Sequence, residues 1–215
     1  MSDLTLVIGT KRYSSWSLRP WLALRQAGLP FTEVEIALRQ PDTRAAVLRH
    51  SPSGKVPLLR HGELRVWESL AICEYAAELA PAARLWPDDR AARAVARAVS
   101  AEMAAGFAPL RRTLPMDVAL RAATPPLPED AEADIARVTA LWGDCRARFG
   151  AGGPFLFGGF TIADAMYAPV VTRFATYGIA VDGAAAAYMA AVEALPAMRE
   201  WRAAAAGTSD SIKRE

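Results

Sequence analysis

The sequence predicts an α/β domain of order βαβ-α-ββα followed by an all-helical domain, and three observations carry that prediction. Strand-like and helix-like stretches alternate from residue 4 to about 80, and a two-residue turn signal, His61-Gly62, separates two short apolar runs. Beyond Pro81 and Pro87 the chain changes to segments rich in Ala, Arg and Leu with no strand pattern. The boundaries read this way are a first domain over 1–81, a linker over 82–88, helices over 89–207 and a tail over 208–215.

Each element has its own signal. LTLVIG (4–9) is a short apolar run of strand length. SLRPWLALRQAG (17–28) places Leu18, Trp21, Leu22 and Leu29 near helical spacing, with Ser17 expected as the N-cap, Pro20 in the first turn, and Gly28 and Pro30 as the stop. FTEVEIAL alternates Phe31, Val34, Ile36 and Leu38 as a strand, and DTRAAVLRHS fits a short helix. KVPLLRHGELRVWES reads as a hairpin, and SLAICEYAAELA closes the unit with Leu70, Cys73, Ala77 and Ala80 on one helical face. Helices are expected at roughly 89–112, 129–149, 161–176, 184–194 and 196–206. TPPLPED (124–130) is a loop between helices, and Thr161 with Asp164 makes a capping-box signal before an apolar helix.

Composition narrows the function. The chain has 215 residues, 53% hydrophobic and 22% charged, enough for two packed cores. A net charge of +2 without blocks of like charge gives no reason to expect nucleic acid or an anionic membrane as partner. The first ten residues lack the parts of a signal peptide and no run of about 18 apolar residues occurs, so a soluble, cytoplasmic protein is expected. Cys73 and Cys145 form no CxxC and read as buried thiols. With only His50 and His61 available, a Ser-His-Asp triad or a histidine metal site is disfavoured, and metal-free chemistry is expected. There is no GxGxxG or P-loop.

Polar groups nevertheless gather at the ends of elements in the first domain. Ser14 and Ser15, in KRYSSWSLRPW, have no explanation in helix capping once Ser17 is given that role. Val56-Pro57 opens a strand; it is either an edge marker or a cis bond presenting the Val56 backbone to an extended ligand. Glu68 and Ser69 stand where a strand meets a helix N-terminus, so they either cap that helix or hold an α-amino-acid headgroup, with the helix end and Ser69 on the carboxylate and Glu68 on the ammonium. Arg173, in the apolar stretch YAPVVTRFATYG, fits a substrate carboxylate or an ion pair equally.

SSWSLR, SPSGKVPLL, ES at 68–69 and FTIADA together resemble the cytosolic glutathione transferases over nearly the whole chain, as a bacterial, serine-type member. SSWSLR is similar to the SSCSxR motif of the zeta class, with Trp16 where that class has cysteine. The resemblance implies a thioredoxin-like N-terminal domain and an all-α helical bundle, a cis Pro57, glutathione as co-substrate paired to the Val56 backbone, and γ-glutamyl recognition by Glu68 and Ser69. It further implies Lys55 on the glycine carboxylate and a homodimer. A serine hydroxyl would stabilise the glutathione thiolate: Ser14 by position, then Ser15, with Ser17 near glutathione as the cap and Tyr13 as an outside rival. The electrophile is expected between the domains, with Met103, Phe107, Leu110 and Arg111 on one side and Tyr167, Val171 and Arg173 on the other.

The implied activity is conjugation of glutathione to small hydrophobic electrophiles, as in detoxification. The alternatives are a zeta-like cis-trans isomerisation of maleylacetoacetate or a similar diacid, and glutathione binding without turnover. Thiol transferase chemistry is not expected, because Trp16 and serines occupy the place of its cysteine.

Overall fold

The computed structural model describes residues 3–207; the tail expected at 208–215 lies outside the described residues. The N-terminal half is a four-stranded mixed sheet of order β2-β1-β3-β4, built from β1 (Leu4–Gly9), β2 (Thr32–Ile36), β3 (Leu58–His61) and β4 (Leu64–Trp67). β1 runs parallel to β2 and antiparallel to β3, and β3 pairs antiparallel with β4. The parallel pair needs a crossover, which α1 (Ser15–Gln26) supplies. α3 (Ser69–Leu79) packs beside α1, while α2 (Thr43–Leu48) sits against the other face. The alternation of β1 accounts for this: Leu4, Leu6 and Ile8 join Leu18, Trp21, Leu22 and Ile72 in the main core, and Val7 joins Ile36, Val47 and Leu58 in a smaller one.

The C-terminal half is helical: α4 (Arg90–Ala105), α5 (Ala108–Thr113), α6 (Glu129–Phe149), α7 (Ile162–Tyr177), α8 (Gly183–Ala194) and α9 (Pro196–Ala206). α7 is buried on almost every side and forms the axis of the molecule, packing on α1, α4 and α8. Its start is fixed by Asp164, whose carboxylate accepts from the Thr161 N–H at 2.7 Å, the Thr161 hydroxyl at 3.0 Å and the Leu156 N–H at 3.1 Å. The halves are clasped by a bidentate pair, Arg12 to Asp117 at 2.7 and 3.0 Å, and by Trp201 donating to the Lys11 carbonyl at 2.9 Å.

Several expectations require correction. α1 begins at Ser15, not after Ser17; Ser14 occupies the cap position without making a side-chain cap bond, and Pro20 therefore lies inside the helix rather than in its first turn. The hairpin turn is Gly62-Glu63, because His61 still pairs with Leu64; Gly62 takes the left-handed backbone at φ 56°. The inward face of α3 is Ser69, Ile72, Cys73 and Ala76, one step round from the expected stripe. The single helix expected over 89–112 is broken at Gly106 and Phe107, where Phe107 is left-handed at φ 58°.

Candidate functional site

α1 and α3 meet at one cleft, whose lining includes Trp16, Glu68 and Ser69 but not Ser14, Ser15 or Ser17, and a proline shapes that meeting. Because α1 starts at Ser15, Pro20 sits where an amide N–H would otherwise bond the Trp16 carbonyl four residues back. That carbonyl instead accepts from the Ser69 hydroxyl at the start of α3, at 2.8 Å. The bond fixes Trp16 beside Ser69 in a cleft of about 390 Å³ whose other walls are Ser53, Lys55, Val56, Pro57, Trp67 and Glu68.

The Val56-Pro57 peptide is cis. Lys55 is exposed at the rim, and Ser53 is held by Ser51 at 3.0 Å. Glu68 takes a positive φ of 78° and turns its carboxylate back onto its own helix, accepting from the Leu70 N–H at 2.9 Å. The side chain remains exposed, so its other lone pairs stay open to a ligand.

Ser14 and Ser15 immediately precede Trp16, both largely buried. The Ser14 hydroxyl donates to the Ser17 hydroxyl at 2.7 Å. Ser17 is wholly buried and also accepts from the Gly9 N–H at 3.0 Å, which ties α1 to the end of β1 and removes it from the cleft surface. Among the described residues Ser15 makes no side-chain hydrogen bond, and it stands on the first residue of α1, whose first turn carries no acid. Its position combines a free hydroxyl with the positive end of a helix dipole. Tyr13 is placed between two cations, with Arg39 4.3 Å and Arg12 5.3 Å from its ring centroid.

On the helical side, the expected electrophile contacts differ in access. Met103 and Leu110 are fully buried, Phe107 nearly so, and Tyr167 is fully buried, donating to the Val99 carbonyl at 3.2 Å. Val171 is likewise fully buried. Arg173 is buried too: Nε donates to the Leu114 carbonyl at 2.8 Å and Nη1 to the Pro169 carbonyl at 3.1 Å, so of the two readings open for it the ion pair is not formed among the described residues. Burial, reinforced by Arg111, lowers its pKa to about 10. Arg111 is half-buried, over the Trp16 ring at 5.3 Å from the centroid.

The sequence reading passed over Arg19, Ser53 and Trp67. Arg19 is fully buried over the Trp16 ring at 4.1 Å, and burial, with Arg173 and Arg111 nearby, lowers its pKa to about 9. A charged residue beside Leu18 and Leu22 on a helix with buried Trp21 was the available signal. For Ser53 and Trp67 no local pattern existed.

Family models for the glutathione S-transferase N-terminal and C-terminal domains match residues 13–79 and 89–204. The fold is similar to a crystal structure of a glutathione transferase homolog from Burkholderia gl BGR1 with bound glutathione, at 24% identity, TM-score 0.71, covering 94% of this chain and 97% of that one. It is also similar to the Tau class enzyme from mango, Mangifera indica, at 20% identity, TM-score 0.71 and coverage of 95% and 96%. Glutathione transferase Omega 2S from Trametes versicolor in complex with 2,4-dihydroxybenzophenone matches at 22% identity, TM-score 0.68 and 92% of both chains. No curated protein matches the sequence significantly.

Proposed function

The chain belongs to the glutathione S-transferase family, and we propose that it is a transferase in which Ser15, with Ser14 beside it, stabilises the glutathione thiolate for addition to a small electrophile. The observation that carries this reading is the free Ser15 hydroxyl on the first turn of α1, next to the cleft wall Trp16. Ser14, the first choice by motif position, already donates its proton to Ser17, whereas Ser15 gives up no bond when it turns to sulfur.

The magnitudes agree. A thiol of pKa about 8.5 is only about 3% thiolate at pH 7, and lowering it by two units takes about 2.7 kcal/mol. A hydrogen bond to a charged acceptor contributes roughly 1.5–3 kcal/mol, and the helix end adds to it. In the same reading the Val56 backbone pairs with glutathione, Lys55 meets its glycine carboxylate, and Glu68 and Ser69 hold the γ-glutamyl head. Residues 1–81 thus bind glutathione and 89–207 supply the electrophile side.

The isomerase alternative leaned on Arg173, whose Nε and Nη1 are committed to main-chain carbonyls, so conjugation is the better-supported chemistry. We further propose a homodimer in the cytoplasm; among the described residues no helix is long and apolar enough to cross a membrane. The test is an ultraviolet titration of bound glutathione in wild type, Ser14→Ala and Ser15→Ala. A depressed thiol pKa that rises most in Ser15→Ala is expected. Binding without any depression in the wild type would leave a glutathione-binding protein and no transferase.

A further inference from the structure

Three arginines and a histidine converge on one hollow of the sheet face that α1 and α3 leave to α2. Alternation along β1 turns Thr5 and Val7 to this face. Thr5 is in register with Arg60 on β3, and Arg60 with Arg65 on β4. One step along, Val7 is in register with Val34 and with Leu58. α2 packs Val47 on that apolar row but ends at Leu48, so the Thr5 row stays open beside Arg49 and His50. The hollow, about 50 Å³, is lined by Arg49, His50, Arg60, Arg65 and Thr5 over a floor of Val7, Val34 and Leu58. It shares no residue with the cleft at Trp16.

The charge here is all of one sign. Elsewhere arginines are paired, Arg97 with Glu74 and Arg137 with Glu102 among them. No acid lines the hollow, and among the described residues Arg49, Arg60 and Arg65 form no ion pair. Arg60 makes one long bond, Nη2 to the Thr5 hydroxyl at 3.4 Å. Like charges directly opposite one another on paired strands destabilise them, so the Arg60–Arg65 register is unfavourable by itself. A cation on an edge strand guards it against pairing with another chain, which accounts for Arg65 on β4. It does not account for three further basic side chains brought to the same place from β3 and the end of α2. Cations above an apolar, low-dielectric floor focus their field on the space between them.

We propose that this hollow is a binding site for a phosphate group, carried by inorganic phosphate or by a small phosphate monoester. Guanidinium forks match phosphate oxygens two at a time. The Thr5 hydroxyl and the His50 ring add donors, and the volume suits a group of a few heavy atoms. The dianion supplies the counter-charge to Arg60 and Arg65 and turns their repulsion into a shared attraction. A carboxylate brings a single charge to three guanidinium groups and is the weaker ligand. The proposal stands apart from the transferase reading, because it uses no residue of the glutathione cleft.

The test is a calorimetric titration of the whole chain at low ionic strength with inorganic phosphate, with phenyl phosphate, and with acetate as the singly charged control. Wild type is expected to bind phosphate at one site per chain, and acetate about tenfold more weakly or less. Arg60→Gln and Arg65→Gln should each weaken phosphate about tenfold or more, as loss of a charge-assisted bond requires. Arg60→Lys should weaken it less, and Arg97→Gln, outside the hollow, should leave it unchanged. Arg60, Arg65 and Arg97 are exposed, and thermal melting checks that each variant folds. Phosphate should also raise the Tm of wild type and not that of Arg65→Gln. Phenyl phosphate binding as tightly as the inorganic ion supports the site as one for a monoester; binding of the inorganic ion with the ester excluded supports it as one for free phosphate. Equal phosphate affinity in wild type and both Gln variants, or a Tm rise matched by acetate at equal ionic strength, overturns the site and returns these side chains to a solvated surface.

Discussion

The Ser69 hydroxyl donates to the Trp16 carbonyl at 2.8 Å, taking the place of the amide N–H that Pro20 lacks. This bond links the two helices that frame the cleft, so loss of Ser69 should loosen Trp16 and weaken glutathione binding together. Ser69→Ala is expected to raise the glutathione Kd about tenfold, equivalent to about 1.4 kcal/mol. In a Pro20→Ala background a helical N–H satisfies the carbonyl, and the cost of losing Ser69 should shrink by about 1 kcal/mol. Strict additivity in that double-mutant cycle would show that the two positions do not share the carbonyl.

The Arg12–Asp117 pair joins the loop before α1 to the segment after α5, with both side chains largely buried and both carboxylate oxygens engaged. Asp117 also accepts the Ala119 N–H at 3.2 Å. Asp117→Ala removes the bidentate partner of a largely buried guanidinium and the acceptor of a backbone donor, and a loss of about 3 kcal/mol in urea unfolding is expected. A loss below about 1 kcal/mol would place the pair with solvent-screened surface bridges.

How much of this was legible in the sequence depended on whether the deciding partner was local. α6 was, since Pro128, the acids Glu129, Asp130 and Glu132, and Gly150 bound it on both sides. The Thr161–Asp164 start of α7 was too, and so was the cis Val56-Pro57 bond once the resemblance was admitted. The start of α1 was not: any of three serines can cap, and Ser17 is drawn inward by the Gly9 N–H eight residues away. Phe107 breaks a helix in a left-handed conformation that only the adjacent Gly106 hints at. The buried Arg19 was least visible, because it is defined by a carbonyl 147 residues distant.

Asp164 gives a pH prediction of definite sign. Burial raises its pKa from 3.8 to about 6, although the hydrogen-bond donors around it act in the opposite direction. Between those values the folded state holds a proton that the unfolded state has released. The corresponding stability is full below about pH 4 and is lost as pH rises through about 6, a change on the order of 3 kcal/mol. Asp164→Asn lacks this component and also leaves the Leu156 N–H without its acceptor, so it is less stable throughout. The gap between wild type and variant, from urea midpoints, should narrow from pH 4 to pH 6.5. A gap constant across that range would mean the carboxylate stays ionised.

The two cysteines should be chemically silent in the folded protein. Cys73 is fully buried on α3 and its thiol is pushed far up, mainly by burial, despite the cation of Arg19 nearby; Cys145, on α6, is pushed up to about 12 for the same reason. At pH 7 a thiol of pKa 12 is roughly one part in 10⁵ thiolate, and the thiolate is the species that attacks a disulfide. Trp16 and the flanking serines supply no substitute nucleophile of that kind. Iodoacetamide is therefore expected to leave the native protein unmodified over hours and to add two labels in denaturant, read by intact mass. Glutathione-dependent disulfide reduction should stay at background in wild type and in Cys73→Ser alike. A robust reductase rate abolished by Cys73→Ser would mean that α3 opens to expose that thiol, and the serine-based account of sulfur activation would lose its exclusive claim on the site.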